Sequence, residues 1–302
     1  MEFGKVLPSE LAHIEFKLPQ DDPRTIQALK RGHGLKRFGV GAPVWGAKTW
    51  LGKVYPNGTG PKDFLSHYAR QFNSIELNTT HYRIPDRETI ERWQATTPEG
   101  LLFCPKFPQE ISHHFPLSGR ESLVKEFVGA VMGLGNRLGM SFLQLPPTFA
   151  PEDLGDLARF LKQLPAGFSI AVEVRHPAFF REHRLRDEYY DLMQTAGAHV
   201  VITDVAGRRD VLHLSLPTPR LMVRLIGNDL HPTDDVRISD WIARLQSWLK
   251  LGLEEVEFFI HQPGDTTAPD LIAKFIDQLN PACGLSLKNW EPMNQGEQLG
   301  FF

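Results

Sequence analysis

The sequence predicts an α/β fold, a closed (β/α)8 TIM barrel, on three observations. Eight short apolar, β-prone runs recur from Phe38 onward; stretches with helical spacing lie between them; and the mean spacing of those runs, about 31 residues, suits repeated βα units. Strands that alternate with helices pair in parallel through crossovers, and eight such units close on themselves. A doubly wound sheet is the alternative. It calls for a phosphate-binding glycine fingerprint after an early strand, and "GVGAPVWG" fails it, with Val44 where the third glycine belongs.

Residues 1–37 read as an N-terminal extension, rich in turn formers, with one short helix near Arg24 to Arg31. The barrel is assigned to residues 38–280. Its strands are "FGVGAPVW" at 38, "SIELNTT" at 74, "LLFCPKF" at 101, "SFLQLPP" at 141, "FSIAVEV" at 168, "HVVITDV" at 199, "RLMVRLIG" at 220 and "EVEFFIHQ" at 255. The intervening helices are "PKDFLSHYARQF", "DRETIERWQATT", "ESLVKEFVGAVMGLGNRLG", "PEDLGDLARFLKQL", "RLRDEYYDLMQTAG", "ISDWIARLQSWLKLG" and "APDLIAKFIDQL". Asp86 is a start signal for the second helix, and Gly252 a stop signal after "WLKL". Between strands six and seven, "AGRRDVLHLSLPTP" has no helical period, so one helix of the ring is expected to be missing or replaced by a loop. Residues 281–302 form a C-terminal tail, apolar enough either to fold back on the barrel or to cover a neighbour.

Composition narrows the function. A net charge of −3 and a pI near 6.5 give no long-range pull toward nucleic acid or anionic membranes, although a local basic pocket remains compatible with them. Two cysteines without metal-type spacing argue against a disulfide framework and fit a reducing cytoplasm. The first residues carry charges and prolines where a signal peptide needs an apolar run, and no apolar run of membrane-spanning length occurs elsewhere. Asn57-Gly-Thr and Asn78-Thr-Thr are read as chance sequons. The sequence contains no Gly-x-Ser-x-Gly elbow, P-loop, His-Glu-x-x-His or Cys-x-x-Cys.

In a barrel the chemistry sits at the carboxyl ends of the strands. Those ends carry Trp45, then Glu76, Asn78, His81 and Tyr82, then Lys106, Gln144, Glu173 with Arg175 and His176, Asp204, Arg224, and His261 with Gln262. Ionised groups are costly in strands that merely pack a core, so a polar group at nearly every strand end points to a shared site. Taken singly, each has a plainer use: Glu173 and Arg175 as a structural ion pair, Lys106 reaching solvent, His176 capping a turn, Trp45 and Tyr82 packing at the rim. Together they make a site with acids, cations and imidazoles, suited to a carboxylate or phosphate ligand and to acid/base work by a carboxylate held between cations. The loops "GNDLHP" and "QPGDTTAPD" add a weak phosphate-binding signal. A divalent metal on Glu76, Glu173, Asp204 and a histidine is allowed by ligand type and disfavoured by the neighbouring cations. Gln144 at the end of strand four departs from the common barrel glycosidase arrangement.

The stretches "GAPVWGAKTWLGKVYP", "HYARQFNSIELNTTHYRIPDRETIERWQATTPEGLLFCPKFPQEISH", "LGMSFLQLPPTF", "AVEVRHPAFF" and "TD" at 203–204 resemble the domain-of-unknown-function 72 (YecE-like) family from about Phe38 to about Leu279. The resemblance implies a TIM barrel and brings no established reaction. The matching motif positions are Trp45, Tyr55, Pro56, Glu76, Asn78, Tyr82, Arg83, Pro85, Trp93, Lys106, Gln144, Pro146, Pro147, Glu173, Arg175, His176, Asp204 and Arg224. Two departures stand out: His81 replaces the phenylalanine usual before Tyr-Arg, and strand eight ends "FIHQPGD" where the family commonly has an asparagine-rich stretch.

The expectation is therefore an enzyme acting on a small anionic metabolite. Glu76, Glu173, Lys106, Asp204 and His176 are the catalytic candidates. Trp45, Asn78, His81, Tyr82, Arg83, Gln144, Arg175, Arg224 and His261 are the binding candidates. Hydrolase or lyase chemistry is the provisional class, with no cofactor required. The alternatives are a noncatalytic small-ligand or nucleotide-binding protein using the same pocket, and local nucleic-acid contact, which would weaken steeply with salt. Nothing in the sequence fixes the oligomeric state.

Overall fold

The computed structural model describes residues 4–114 and 116–290. Eight parallel strands form one sheet: β1 (Arg37–Ala42), β2 (Ser74–Leu77), β3 (Leu102–Pro105), β4 (Ser141–Gln144), β5 (Ile170–Glu173), β6 (His199–Asp204), β7 (Arg220–Ile226) and β8 (Glu255–His261). Their spatial order is β3-β2-β1-β8-β7-β6-β5-β4. The free edges meet through parallel bridges Phe103 to Leu138 and Lys106 to Phe142, so the sheet closes into the predicted barrel.

Seven helices of eight or more residues follow strands and pack outside among the described residues: α2 (Phe64–Gln71), α3 (Arg87–Thr96), α4 (Glu121–Met132), α5 (Leu154–Lys162), α6 (Asp187–Thr195), α7 (Pro232–Leu251) and α8 (Ala268–Cys283), with α1 (Pro23–Leu29) preceding β1. Their ends carry the expected signals. Asp86 caps α3 by accepting from the Thr89 N–H at 2.8 Å, and Gly252 ends α7 at φ 114°, a left-handed conformation that costs glycine no Cβ clash. Outward strand residues meet the helices through aromatic contacts, as where the Phe258 ring lies 4.3 Å from that of Phe275 and 5.7 Å from that of Trp241.

The helix missing from the sequence pattern is indeed absent. β6 is followed by a 3-10 segment, Ala206–Val211, and an extended connection. Helix α1 stands in the gap. Thr25 donates through Oγ1 to the Leu214 carbonyl (2.7 Å) and accepts from the Leu216 N–H (2.8 Å). Tyr190 of α6 donates to the Arg24 carbonyl on one side, and Trp248 of α7 donates to Asp21 on the other. The N-terminal extension thus supplies the eighth member of the ring.

Inside the barrel, side chains at alternate strand positions form layers. Cys104, Met140, Phe142, Ala171, Val201, Met222 and Phe259 fill the middle as one apolar cluster. Below it, Glu257 accepts from Ser74 Oγ at 2.6 Å. A Cβ on Gly39 would come within 2.1 Å of that carboxylate, which explains a glycine on the inner face of β1. Above the apolar layer lies the polar one.

The tail turns back after α8. Leu285 and Leu287 pack against the core, and the buried Trp290 donates to the Pro269 carbonyl. The rest of the tail, from residue 291, lies outside the described residues. Among the described residues no helix is long and apolar enough to cross a membrane.

Candidate functional site

The polar layer follows from strand parity. On β7 the outward Leu221, Val223 and Leu225 leave Met222 and Arg224 inside; on β5, Ala171 and Glu173 point inward; on β2, Ser74 and Glu76 do. Arg224 is wholly buried. Its Nε and Nη2 donate to the two oxygens of Glu76 at 3.0 and 2.9 Å, and its Nη1 donates to Glu173 Oε2 at 2.9 Å. Arg175 completes the second carboxylate from the other side, donating through Nε to Glu173 Oε1 at 2.5 Å. Asn78 donates to Glu76 Oε1, and His261 Nε2 donates to Glu76 Oε2, both at 2.9 Å.

Gln144 sits between the cations. Its Oε1 accepts from Arg175 Nη2 (2.9 Å), Lys106 Nζ (3.2 Å) and Arg224 Nη1 (3.3 Å). No carboxylate among the described residues lies within ion-pair distance of Lys106. Among the described residues, the two guanidinium groups are thus in direct contact with two carboxylates and the ammonium with neither, and a buried surplus of positive charge is expensive unless an anion joins it. The layer is nearly shut. Glu76 and Arg224 are fully covered, while Lys106, Gln144, Arg175 and His261 keep 6–8% of their surface in contact with solvent.

The charges set the titration behaviour. Burial alone would raise the carboxyl of Glu76, but Arg224 and His261 outweigh it and hold it well below the usual range; Arg175 and Arg224 likewise keep Glu173 low against its burial. Both are held ionised at neutral pH, with their oxygens occupied by Arg224, Arg175, Asn78 and His261. Burial, reinforced by Arg224, brings Lys106 down to about 8. His81 is lowered by burial and Lys106, and His113 is lowered to about 4 by burial and by His81, Lys106 and Arg175. The His81 and His113 rings meet edge to face at 5.2 Å, with His81 Nδ1 at 2.8 Å from the Phe107 carbonyl, which fixes the proton on that nitrogen when the ring is neutral.

Several predicted residues lie elsewhere. Asp204 belongs to the outward parity of β6, with Val200 and Ile202, and is held by Arg237 and Trp241 of α7 and by Arg209. It supports the wall and does not reach the mouth. His176 caps the turn Pro177–Phe179 by accepting from the Ala178 N–H at 3.2 Å. Tyr82 is 72% exposed, with its ring edge-on to that of His81 at 5.3 Å, and Arg83 is an exposed partner of Asp86. Trp45 leans edge-on against Trp93 of α3 at 6.0 Å. In the loop "GNDLHP" the Asn228 N–H donates to the carboxylate of Asp234. No group of three or more potential metal ligands is assembled among the described residues.

The structure also adds residues. Thr203, paired in register with Arg224, faces the interior, where its buried hydroxyl has no hydrogen-bond partner among the described residues. Parity from Val201 would have selected it over Asp204. His113, in "SHH" after β3, joins His81 beside Lys106 and Arg175. Asp265 stands near His261 and Glu76, its carboxyl raised by burial and by Glu76 against the pull of His261.

Comparison with known proteins gives the family and the fold. Residues 39–295 match the family described as "Protein of unknown function DUF72". The UPF0759 protein YecE of Escherichia coli K12 is 32% identical over 251 residues, covering 77% of this chain and 89% of that protein; the O157:H7 protein gives the same figures. The UPF0759 protein YunF of Bacillus subtilis strain 168 is 27% identical over 149 residues, 47% of this chain and 51% of its own length. Crystal structures of a DUF72 family protein from Enterococcus faecalis V583 superpose with TM-scores of 0.63 and 0.62 at 19% and 16% identity, over 84% and 85% of this chain and 100% and 99% of theirs, which shows a shared fold. Since the match spans all eight strands and with them the residues of the polar layer, this chain belongs to the DUF72 family.

Proposed function

We propose that this protein is an enzyme that binds a small anionic metabolite, a carboxylate or phosphate, at the carboxyl-terminal mouth of the barrel and acts on it by acid/base chemistry. One observation carries the reading: three cationic side chains converge on the single neutral oxygen of Gln144, against two carboxylates already occupied. Arg175 and Lys106, which keep some contact with solvent, hold the anion. Arg224, Glu76 and Glu173 lock the geometry from beneath. Lys106, brought close to neutrality by burial, is the group suited to exchange a proton near pH 8. Calorimetric titration with phosphate and with short carboxylates tests this: binding in the wild type that is lost in Arg175→Met supports it, and no heat with either class of anion ends it.

A noncatalytic binding protein is the second reading, favoured by the low, saturated carboxyls of Glu76 and Glu173. Lys106→Arg, which keeps the positive charge but cannot give up a proton near pH 8, separates the two. Turnover lost with binding kept supports catalysis, and loss of both together supports a binding or structural role.

A further inference from the structure

We propose that Lys106 is a nucleophile that forms an imine with a small 2-oxo carboxylate, the substrate's carboxylate resting on Arg175. The inference rests on the anion-site reading above and names its substrate class.

Four features of the mouth support it. Lys106 ends β3 on the inner face of the barrel, 7% exposed, so its amine is stripped of most of its water. Its one hydrogen-bond partner among the described residues is an amide oxygen, and no described carboxylate pairs with it. An amine that is desolvated and set beside other cations is the arrangement that favours its neutral, nucleophilic form. The groups facing it are Arg224 and Arg175, which favour the neutral amine, and Glu173 and Glu76, which oppose it; His81 and His113 stand beside it.

The substrate class follows from the spacing. Lys106 Nζ and Arg175 Nη2 bind the same oxygen, so they are close neighbours. A ligand that offers a carbonyl carbon to one and a carboxylate to the other carries the two groups within a bond or two of each other, and a 2-oxo acid, with the groups directly bonded, is the smallest that does so.

The step balances without a further reactant. The Nζ lone pair attacks the carbonyl carbon, and a proton moves from nitrogen to the former carbonyl oxygen. The resulting carbinolamine then expels that oxygen as water as the C=N bond forms, nitrogen having given up both its hydrogens. No oxidation state changes.

The test is reductive trapping. The intact protein is incubated with pyruvate and sodium cyanoborohydride, and the modified lysine is located by peptide mass spectrometry. The expected result is a saturable adduct on the Lys106 peptide, absent in Lys106→Arg, with the half-exposed Lys274 labelled only in proportion to reagent. Labelling confined to surface lysines, with Lys106 untouched, overturns the imine. Thermal shifts with pyruvate and with lactate, which lacks the ketone, judge the anion site separately. A shift with both ligands and no adduct removes the imine and leaves the anion site standing, whereas no shift and no adduct removes both. Should Arg175→Met fail to fold, Arg175→Lys serves as the binding control, since it keeps the charge and loses the planar fork.

Discussion

Arg224 grips Glu76 at both carboxylate oxygens, at 3.0 and 2.9 Å, and neither residue is exposed to solvent. The two residues come from strands on different sides of β1 and β8, so the pair ties the barrel across its interior. Its geometry fixes where Glu173, Gln144 and Lys106 must lie.

Replacing Arg224 leaves two buried carboxylates without their shared cation. Arg224→Met is expected to destabilise the fold by about 3–5 kcal/mol, measured by urea denaturation. Arg224→Lys should recover little of this, because an ammonium cannot donate the paired bonds in one plane.

The low carboxyls predict an acid limb. Glu76 and Glu173 titrate below their unfolded values, so the stability they contribute is complete above about pH 5 and is lost as pH falls through their folded values. Denaturation midpoints measured from pH 6 downward should fall more steeply in the wild type than in Glu76→Gln. Parallel curves would contradict the assignment.

Lys106 predicts the opposite limb. Its folded value of about 8 lies below the ordinary 10.5, so the unfolded chain binds more protons between these values and stability rises with pH across that window. At pH 7 its burial costs up to about 3 kcal/mol, and Lys106→Met should gain part of that in a melting experiment. The gain should shrink toward pH 10 and beyond. A variant less stable than the wild type at pH 7 would show that Lys106 is paired more strongly than its neighbours imply.

Asp204 tests the division between barrel wall and site. Asp204→Asn breaks a buried pair with Arg237 and should cost about 3–5 kcal/mol, while anion binding by the folded protein stays unchanged. Weaker binding in this variant would place Asp204 in the site after all.

Helix α1 makes a structural prediction. Thr25→Val removes a buried hydroxyl that joins two backbone groups of the β6–β7 connection, and should cost about 1–3 kcal/mol in urea denaturation. No change would mean that the N-terminal helix is not an integral member of the ring.

Much of this was legible in the chain. Short apolar, β-prone runs separated by helical stretches pointed to the barrel, the irregular "AGRRDVLHLSLPTP" to the absent helix, and the strand ends to Glu76, Lys106, Gln144, Glu173, Arg175, Arg224 and His261 for the cluster. Asp204 was misplaced because position at a strand end was weighed above parity: one residue along a strand turns the side chain to the opposite face. Tyr82 and Arg83 sit past the end of β2, where a 3-10 turn, Asn78–His81, sends the chain outward, and no periodic pattern reports the direction of such a turn. The partner of α1 was equally hidden. A seven-residue helix carries too short a pattern to say which gap it fills.

The sequence by itself determined the succession of strands and helices and which residues stand at the strand ends, because hydrophobic period and turn chemistry are local properties of the chain. Tertiary structure alone decided which of those residues share an oxygen, which face helices, and that two carboxylates meet three cations. Closure of the sheet brings together residues as far apart as Glu76 and Arg224, and the energy of a buried charge depends on the groups around it in space, whatever their distance along the chain.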